Sequence, residues 1–496
     1  MRACLPGKSA AAICVLATLL LPWVCNADDD TEALIAALLG QTPILDDLQR
    51  LTDTIGGRPT GSPANRAAVD WAQDVFRSAG VPVTTEEFEM PMQWQEIKAL
   101  AVISGDVDFQ PRVVAMPFST GTGAAGLAAP LVYGGTGSEA DFARLGAKAR
   151  GAWLLFETPV LDDDVGLDGL FAEYTNAAAV EPRAFNAGAA GIVFMSSRPR
   201  NLLYRHNAAL GIENRHPNLI MERENAERAA RLLQNGSQLS LRASIEVDRG
   251  EPYTARNVIG EIRGSSRAGE IVLFGAHLDS FDLGTGALDN GANVAMLIDI
   301  ARQIERLRLK PARTIRFVLW NGEEQGLVGS WRYTEQHEEE LDDHVVAASF
   351  DIGTGAITGF FTNGRTGLVA TVDEYLRPVA GLGPFLQVNV PVVGTDNFDF
   401  MIEGVPNLIA NQADANYASN YHAQSDTFDK VDRQQLKLNS AIAASIVWGF
   451  ANGTTRLQRQ SHTEIAALIA NTDLEQQMRN FAVWQGWAAG ERGRHD

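Results

Sequence analysis

From about residue 255 onward, apolar segments of strand length alternate with amphipathic helical segments, and this alternation is the strongest constraint on the fold. Strand-like runs lie at 271–274, 313–320, 345–350 and 406–410, and a helical segment lies at 293–307. Such alternation is typical of an α/β domain in which helices cover both faces of a parallel sheet. We therefore predict a three-layer α/β sandwich with a mostly parallel central sheet.

Side chains of the types that bind metals follow the ends of these strands. In chain order the candidates are His277, Asp279, Asp289, Glu323, Glu324, Asp351 and His422, and Tyr421 stands next to the last of them. Asp289 lies in the turn that enters the helical segment, and the others come just after a strand or in the loop that follows it. Because ligands bind outside the carboxyl ends of strands in open α/β sheets, we expect these side chains to converge at one edge.

These residue types predict a two-metal site. A carboxylate that bridges two cations about 3.5 to 4 Å apart allows each cation to be completed by one His and one further carboxylate. Asp289 is the expected bridge, with His277 and Asp351 on one ion and Glu324 and His422 on the other. Nitrogen and oxygen ligands without sulfur favour two Zn²⁺, with Co²⁺ or Mn²⁺ as alternatives.

Two acidic residues are predicted to act beside the metals without binding them. Glu323 cannot serve the same ion with the same geometry as its neighbour Glu324, so it is positioned to take a proton from metal-bound water. Asp279 is expected to hold the second ring nitrogen of His277. The other histidines are interpreted as structural; they are His206, His216, His337, His344, His462 and His495.

Residues 1–27 are predicted to be a secretory signal peptide. Arg2 and Lys8 precede a short apolar run, and residues 25–27 offer a small-x-small cleavage site. The apolar run is short for a bilayer crossing, so we expect a secreted or periplasmic protein without stable membrane insertion after signal cleavage. All 3 cysteines lie in this leader, so the mature chain would contain neither a disulfide nor a thiol nucleophile.

Local pattern divides the rest of the chain into four parts. Residues 28–104 begin with helical segments, and residues 105–250 show short β-like runs between glycine-rich turns, which predict a β-rich region. Residues 251–455 have the alternating pattern and form the catalytic part. Residues 456–496 have helical periodicity, and their pattern leaves open whether they pack on their own core or on a second subunit in a homodimer.

Five motifs identify a resemblance to a known superfamily. HLDS, ALDNG, WNGEEQGLVGS, FDIG and YHAQSDT stand in the order and spacing of the co-catalytic di-zinc exopeptidases of metallopeptidase clan MH, which include aminopeptidase Y, glutamate carboxypeptidase and the transferrin receptor. Within this superfamily the chain most resembles the carboxypeptidase Q branch. The resemblance extends from residues 56–62 to about residue 451.

The resemblance implies roles for individual residues and segments. It implies the same five metal ligands, the same general base, Glu323, and the same role for Asp279 as the hydrogen-bond partner of a ligand histidine. Tyr421 matches a position where some members have a Tyr that hydrogen-bonds the developing oxyanion, although carboxypeptidase Q-like chains differ there. Residues 394–398 resemble a loop near the substrate. Residues 105–250 resemble a protease-associated domain, which covers the cleft in relatives.

The function implied is a secreted exopeptidase that hydrolyses terminal peptide bonds of short peptides by a metal-bridging water activated by Glu323. An aminopeptidase or dipeptidase is favoured; the alternatives are a glutamate-type carboxypeptidase, a glutaminyl cyclase-like transferase and an inactive receptor-like binding module. Inactive relatives have lost metal ligands, and cyclases lack the inserted domain. This chain has all five expected ligands and a segment that resembles the insert, which favours an active peptidase. Its formal net charge of −20 disfavours nucleic acid and anionic membranes as partners and leaves a short peptide as the expected one.

Overall fold

The computed structural model describes residues 27–163 and 166–495, which form two units, each built around its own sheet. The strands are β1 (Val83–Met90), β2 (Trp94–Gly105), β3 (Val113–Ala115), β4 (Leu127–Tyr133), β5 (Trp153–Phe156), β6 (Gly191–Met195), β7 (Asn218–Met221), β8 (Leu239–Arg249), β9 (Tyr253–Ile262), β10 (Arg267–His277), β11 (Arg313–Trp320), β12 (His344–Ser349), β13 (Ile357–Phe361) and β14 (Asn407–Gln412). The helices are α1 (Ala27–Leu39), α2 (Ile44–Gln49), α3 (Pro63–Ser78), α4 (Glu139–Leu145), α5 (Gly166–Asn186), α6 (Arg223–Gln234), α7 (Ala292–Leu307), α8 (Val328–Gln336), α9 (Thr366–Tyr375), α10 (Asn397–Ile402), α11 (Arg433–Asn452), α12 (His462–Ala470), α13 (Leu474–Asn480) and α14 (Trp484–Ala489).

The predicted signal peptide lies outside the described residues except for residue 27, which begins α1. Among the helices of the described part, none is both long and apolar enough to cross a membrane.

The first unit contains the sheet predicted from the alternating pattern. Its strand order is β1-β9-β11-β10-β12-β14-β13. The four predicted strands, β10, β11, β12 and β14, are parallel to their neighbours in this set. The sheet as a whole is mixed, because β9 and β1 extend one side and β13 the other by antiparallel pairing. The prediction of a mostly parallel sheet is therefore correct for the centre and wrong for the margins.

Helices cover both faces of this sheet. On one face α7 contacts β10 and packs against α1, α2 and α11. Residues on all sides of α7 are buried, as expected for a helix enclosed between a sheet and other helices. On the other face α8 and α10 contact each other, and Tyr333 and Phe400 pack there against Trp320 of β11.

The second unit interrupts the first between β1 and β9. Its strand order is β2-β8-β4-β5-β6-β7-β3. The sheet begins at Trp94, earlier than the predicted boundary at 105, because β2 pairs with β8 over its whole length, from Trp94 opposite Arg249 to Gly105 opposite Leu239.

The second unit also contains helices that its glycine-rich sequence did not suggest. Strands β4 to β7 are parallel, and parallel neighbours require crossover connections. Helix α4 connects β4 to β5 and α5 connects β5 to β6, while α6 leads from β7 to β8. The unit is therefore mixed α/β rather than only β-rich.

The C-terminal tail packs on its own chain. Ile465, Ile469 and Met478 form one buried cluster with Phe398 and Met401 of α10. Near the end of the tail, Arg492 donates two hydrogen bonds to the Asp399 carboxylate, at 2.7 and 2.9 Å. These contacts attach the tail to the first unit through a buried ion pair and a shared apolar core.

Candidate metal centre

Parallel pairing brings the ends of β10, β11 and β12 to the same edge. His277, the last residue of β10, pairs with Trp320, the last residue of β11. Gly275 of β10 pairs with Ser349 of β12, and Ser349 lies two residues before Asp351. The sequence motifs that follow these strands therefore meet at one edge of the first sheet, as predicted.

The five predicted ligands form two groups that share Asp289. One group is His277, Asp289 and Asp351, and the other is Asp289, Glu324 and His422. His277 Nε2 lies 3.1 Å from Asp289 Oδ1 and 3.4 Å from Asp351 Oδ1. His422 Nε2 lies 3.3 Å from Asp289 Oδ2 and 3.2 Å from Glu324 Oε2. The two oxygens of Asp289 thus face different histidines.

This arrangement fits cations better than it fits hydrogen bonding. Asp289 Oδ2, Glu324 Oε1 and Asp351 Oδ1 are buried, and they have no hydrogen-bond partner among the described residues. Buried polar atoms without partners are costly unless something else satisfies them. Tetrahedral ligands at bond lengths of about 2.0 to 2.1 Å stand roughly 3.3 Å apart, which matches the four separations.

The charges of the two groups shift the pKa values of their members. Burial alone would lower the pKa of His422, but Glu324 and Asp289 raise it to about 9. Burial and the charge of Asp289 raise the pKa of Glu324 to about 7, against the opposite effect of His422. Burial would raise the pKa of Asp289, but its close contacts with His277 and His422 lower it. Carboxylates therefore dominate the potential at this edge, which favours cations.

A buried arginine shapes the loop that presents Asp289. Arg58 donates to the carbonyl oxygens of Leu278, at 2.8 Å, Thr285, at 2.7 Å, and Gly286, at 3.0 Å. Gly286 has φ 60°, and a Cβ there would lie 2.4 Å from Ser280 Cβ and 2.8 Å from Arg58 Nη2. The loop therefore requires glycine at this position.

Asp426 holds the same loop from the other side. Its carboxylate accepts hydrogen bonds from the backbone N–H groups of Ala287, Leu288 and Asp289, at 2.7 to 3.1 Å. Burial raises the pKa of Asp426 to about 7, although the hydrogen bonds from the backbone act to lower it. Because Asp426 is four residues after His422, one loop supplies both a ligand and the support for the shared carboxylate.

Asparagines at the start of α7 position Asp351. Asn290 Nδ2 donates to the carbonyl oxygen of Phe350 at 2.9 Å, and Asn293 Nδ2 donates to that of Ile352. The residues on both sides of Asp351 are thus attached to the helix that begins just after Asp289. No sequence pattern indicated the supporting roles of these residues, although Arg58 lies in residues 56–62, Asn290 in ALDNG and Asp426 in YHAQSDT.

Asp279 differs in detail from its predicted role. His277 Nδ1 lies 3.0 Å from the backbone carbonyl oxygen of Asp279, while the carboxylate is 3.8 Å away. Asp279 Oδ2 instead accepts from Thr60 Oγ1 at 2.8 Å and from the Gly322 N–H at 3.1 Å. The Asp279 carboxylate therefore supports the loop that contains Glu323 and Glu324, because it binds the backbone of Gly322 just after the end of β11.

Glu323 belongs to neither ligand group, in keeping with its predicted role. Burial raises its pKa well above the usual range, the charges of Asp351, Glu324 and Asp396 add to this, and His277 opposes it. A carboxylate with a raised pKa is a stronger base than a free carboxylate, which suits a group that takes a proton from water.

Tyr421 lies against the ligand His422. The two rings are stacked with centroids 3.6 Å apart. The hydroxyl of Tyr421 lies 3.0 Å from that of Tyr174 on α5. Tyr174 also packs on His206, a histidine interpreted as structural, with ring centroids 4.4 Å apart. The second unit therefore contributes an aromatic group next to the metal ligands, which the sequence did not indicate.

Two buried arginines connect the second unit to the site. Arg205 pairs with both oxygens of Asp282, at 2.8 and 2.9 Å, and with Glu96 Oε2 at 2.7 Å. Arg198 donates to the backbone carbonyl of Tyr421 at 3.0 and 2.8 Å. Asp282, the remaining acidic residue of the HLDSFD segment, therefore binds the second unit rather than a metal group.

Replacing Arg205 with Met should lower the free energy of unfolding by about 2 to 4 kcal/mol. The change leaves two carboxylates without their partner, and the cost stays below that of a wholly buried pair because Asp282 keeps some solvent contact. Urea unfolding measures the effect. Arg77→Met is the control, because Arg77 pairs with Asp74 on the exposed surface and should cost no more than about 0.5 kcal/mol. Equal costs for the two variants would contradict the proposed importance of Arg205.

The fold and the site together define a metallopeptidase of the α/β type. Residues 257–447 match the model of peptidase family M28. The superfamily resemblance that the five motifs indicated is thereby confirmed.

Curated relatives and solved structures agree with this assignment. Rat carboxypeptidase Q is 26% identical over 443 residues, which cover 88% of this chain and 92% of the relative. The probable lipoprotein aminopeptidase LpqL of Mycobacterium tuberculosis is 26% identical, with 84% of each chain covered. A peptidase M28 precursor from Shewanella amazonensis has a TM-score of 0.78 and 28% identity, covering 87% of this chain and 98% of its own. The zinc aminopeptidase BSAP from Bacillus subtilis has a similar fold, with a TM-score of 0.64, 21% identity and coverage of 83% and 95%.

Proposed function

We propose that this protein is a secreted, zinc-dependent aminopeptidase that removes the first residue from short peptides. The observation that supports this most is the lining of the cavities near the ligand groups. A cavity of about 70 Å³ lies beside Asp351, and one of about 290 Å³ is lined by Phe281, Asp282 and Gln325. Among the described residues that line either cavity there is neither Lys nor Arg.

The charge of the site favours a free amine as the recognised end. A peptide carboxylate is usually held by Arg or Lys, whereas an ammonium group is held by carboxylates. Arg58 and Arg198 are near the site, but both are fully buried and already occupied: Arg58 binds backbone carbonyls, and Arg198 binds the Tyr421 carbonyl and the Glu173 carboxylate. Glu323, Asp351 and the buried Asp396, whose two oxygens lack partners among the described residues, are acidic groups that a nearby ammonium group would keep ionised. This charge distribution supports an aminopeptidase over a carboxypeptidase.

The ligand set would suit two zinc ions: His277 and Asp351 would hold one, Glu324 and His422 would hold the other, and Asp289 would contribute to both. Zinc aminopeptidases among the neighbours with a similar fold agree with this choice. Bound zinc would polarise the scissile carbonyl and acidify water. Glu323 would accept the proton of the attacking water and return it to the leaving amine. The Tyr421 hydroxyl, oriented by Tyr174, would donate a hydrogen bond to the developing oxyanion.

The second unit would limit the substrate to short peptides. Asn207 donates to the backbone carbonyl of Glu324 at 2.6 Å, and Ser419 N–H donates to Asp163 at 3.1 Å. With these contacts on two sides of the site, there is little room for a chain that continues in both directions. We infer that the unit acts as the protease-associated domains of relatives do, and that the partner is a short peptide.

Tripeptides blocked at one end at a time test the proposal. Unblocked and C-amidated Leu-Ala-Ala should lose Leu first, whereas the N-acetylated peptide should be inert, because acetylation removes the ammonium charge. Liquid chromatography of the products identifies the residue that leaves. A chelator should abolish the activity and added Zn²⁺ should restore it.

Other patterns of blocking would indicate other activities. Dependence on the carboxylate alone would make the enzyme a carboxypeptidase, and dependence on both ends would make it a dipeptidase. Cleavage of the doubly blocked peptide or of casein at a comparable rate would contradict any exopeptidase.

A further inference from the structure

The cavity beside Asp351 is closed by the C-terminal tail. Phe481, just after α13, stacks on Tyr174 with ring centroids 4.7 Å apart and lies edge-on to Phe171 at 6.0 Å. Next to it, Asn480 Nδ2 donates to Thr175 Oγ1 at 2.8 Å. The tail therefore reaches from the first unit to α5 of the second. The aromatic residues of this contact, Phe171, Tyr174 and Phe481, line the cavity.

The tail is firmly attached on the side of the first unit. Gln477 Oε1 accepts the Val393 N–H at 2.9 Å, and Met478 is fully buried. Val393 lies between Val392 and Gly394, which line the same cavity. Because the residues just before Phe481 are fixed in this way, the ring is held at the cavity rather than free to swing away.

The cavity is small and mostly apolar. Its volume of about 70 Å³ is far below the roughly 300 Å³ of a pocket for a drug-sized ligand, so it suits one side chain. Leu170, Ile352, Phe361 and Ile409 add apolar surface, and Asp351 joins it to the metal groups.

We propose that Phe481 determines specificity by closing the pocket that receives the side chain of the terminal residue. The inference rests on the proposed peptidase function and adds its preference: small and medium apolar residues are accepted, and large aromatic residues are excluded. Three segments far apart in sequence, α5, residues 392–395 and the tail, define the size of the pocket. Without the tail, the family domain at 257–447 would have a pocket open on one side.

Replacing Phe481 with Ala tests this assignment. The kcat/KM values of C-amidated X-Ala-Ala peptides, with X as Ala, Leu or Phe, are measured for the full chain loaded with zinc. We expect the ratio of the Phe substrate to the Ala substrate to rise at least about 10-fold, because the enlarged pocket binds the aromatic ring and loses contacts to smaller groups. Phe481→Leu keeps an apolar contact and should raise the same ratio by a smaller factor. This variant replaces Phe481→Ala in the test if the Ala variant does not fold.

Trp484→Ala is the matched control. Trp484 lies three residues further along the tail and packs against the same apolar cluster, but it does not line the cavity. Its removal should leave the ratio unchanged. An equal rise of the ratio in Trp484→Ala would mean that loosening the tail causes the effect, and it would contradict the role assigned to Phe481. An active wild type whose ratio is unchanged by both Phe481 variants would overturn the inference alone, whereas a wild type inactive on all three peptides would overturn the proposed function and the inference with it.

Discussion

Glu323→Gln should reduce kcat by about 10³- to 10⁴-fold and leave the metal content unchanged. The amide has the shape of the carboxylate but cannot accept the proton of the attacking water, and a positioned general base contributes about 10²- to 10⁴-fold. Because Glu323 lies in neither ligand group, its replacement removes no donor atom from the metals. KM should change little, since the effect is on the reacting proton rather than on binding.

The neighbouring residue supplies the control for this experiment. Glu324→Gln changes the same functional group one residue away, but Glu324 Oε2 belongs to the group around His422. This variant should lose activity together with metal, which elemental analysis of the purified proteins measures. Near-normal turnover of Glu323→Gln, or a loss of metal equal to that of Glu324→Gln, would contradict the separate roles of the two residues.

The positions of the ligands could be predicted because they depend on local pattern. Short apolar runs locate β10, β11 and β12, and parallel pairing then aligns the residues after them. The structure brings His277, Glu324 and Asp351 together for this reason. A histidine or an acidic residue that follows such a run is therefore visible in the sequence before any long-range contact is known.

The supporting residues could not be predicted because their partners are distant in sequence. Arg58 binds carbonyls more than two hundred residues further along the chain, and its neighbours Gly57 and Pro59 suggest only a loop. Arg205 lies in no recognisable motif, and its partner Asp282 lies in a different unit, 77 residues further along the chain. A buried ion pair between two units gives no periodic signal in either one.

The second unit was predicted less well for a related reason. The alanine-rich stretch that forms α5 contains Pro182 and follows an acidic segment, a composition that favours a loop. The helix forms because parallel β5 and β6 need a connection that returns across the sheet. Its aromatic residues then reach the site of the first unit, so the pocket that we propose for the substrate depends on an element that local pattern did not reveal.

Replacing Asp289 with Ala should remove both metal ions, whereas His277→Ala and His422→Ala should each remove one. Asp289 Oδ1 faces His277 and Oδ2 faces His422, so loss of this side chain takes a ligand from both groups. Each histidine belongs to one group, and its loss leaves the other with all three of its protein donors. Elemental analysis after gel filtration in metal-free buffer measures the content per chain.

Asp282→Asn shows whether any change in the HLDSFD loop has the same effect. Asp282 lies in the segment that follows His277, but it binds Arg205 and belongs to neither group, so its replacement should leave the metal content at the wild-type level. If Asp289→Ala and the two histidine variants kept the same metal content, a bridging role for Asp289 would be wrong. The thermal unfolding midpoint gives a second measure, because an ion that binds only the folded state stabilises it. Measured in the same metal-containing buffer, the midpoint of Asp289→Ala should therefore fall furthest below that of the wild type.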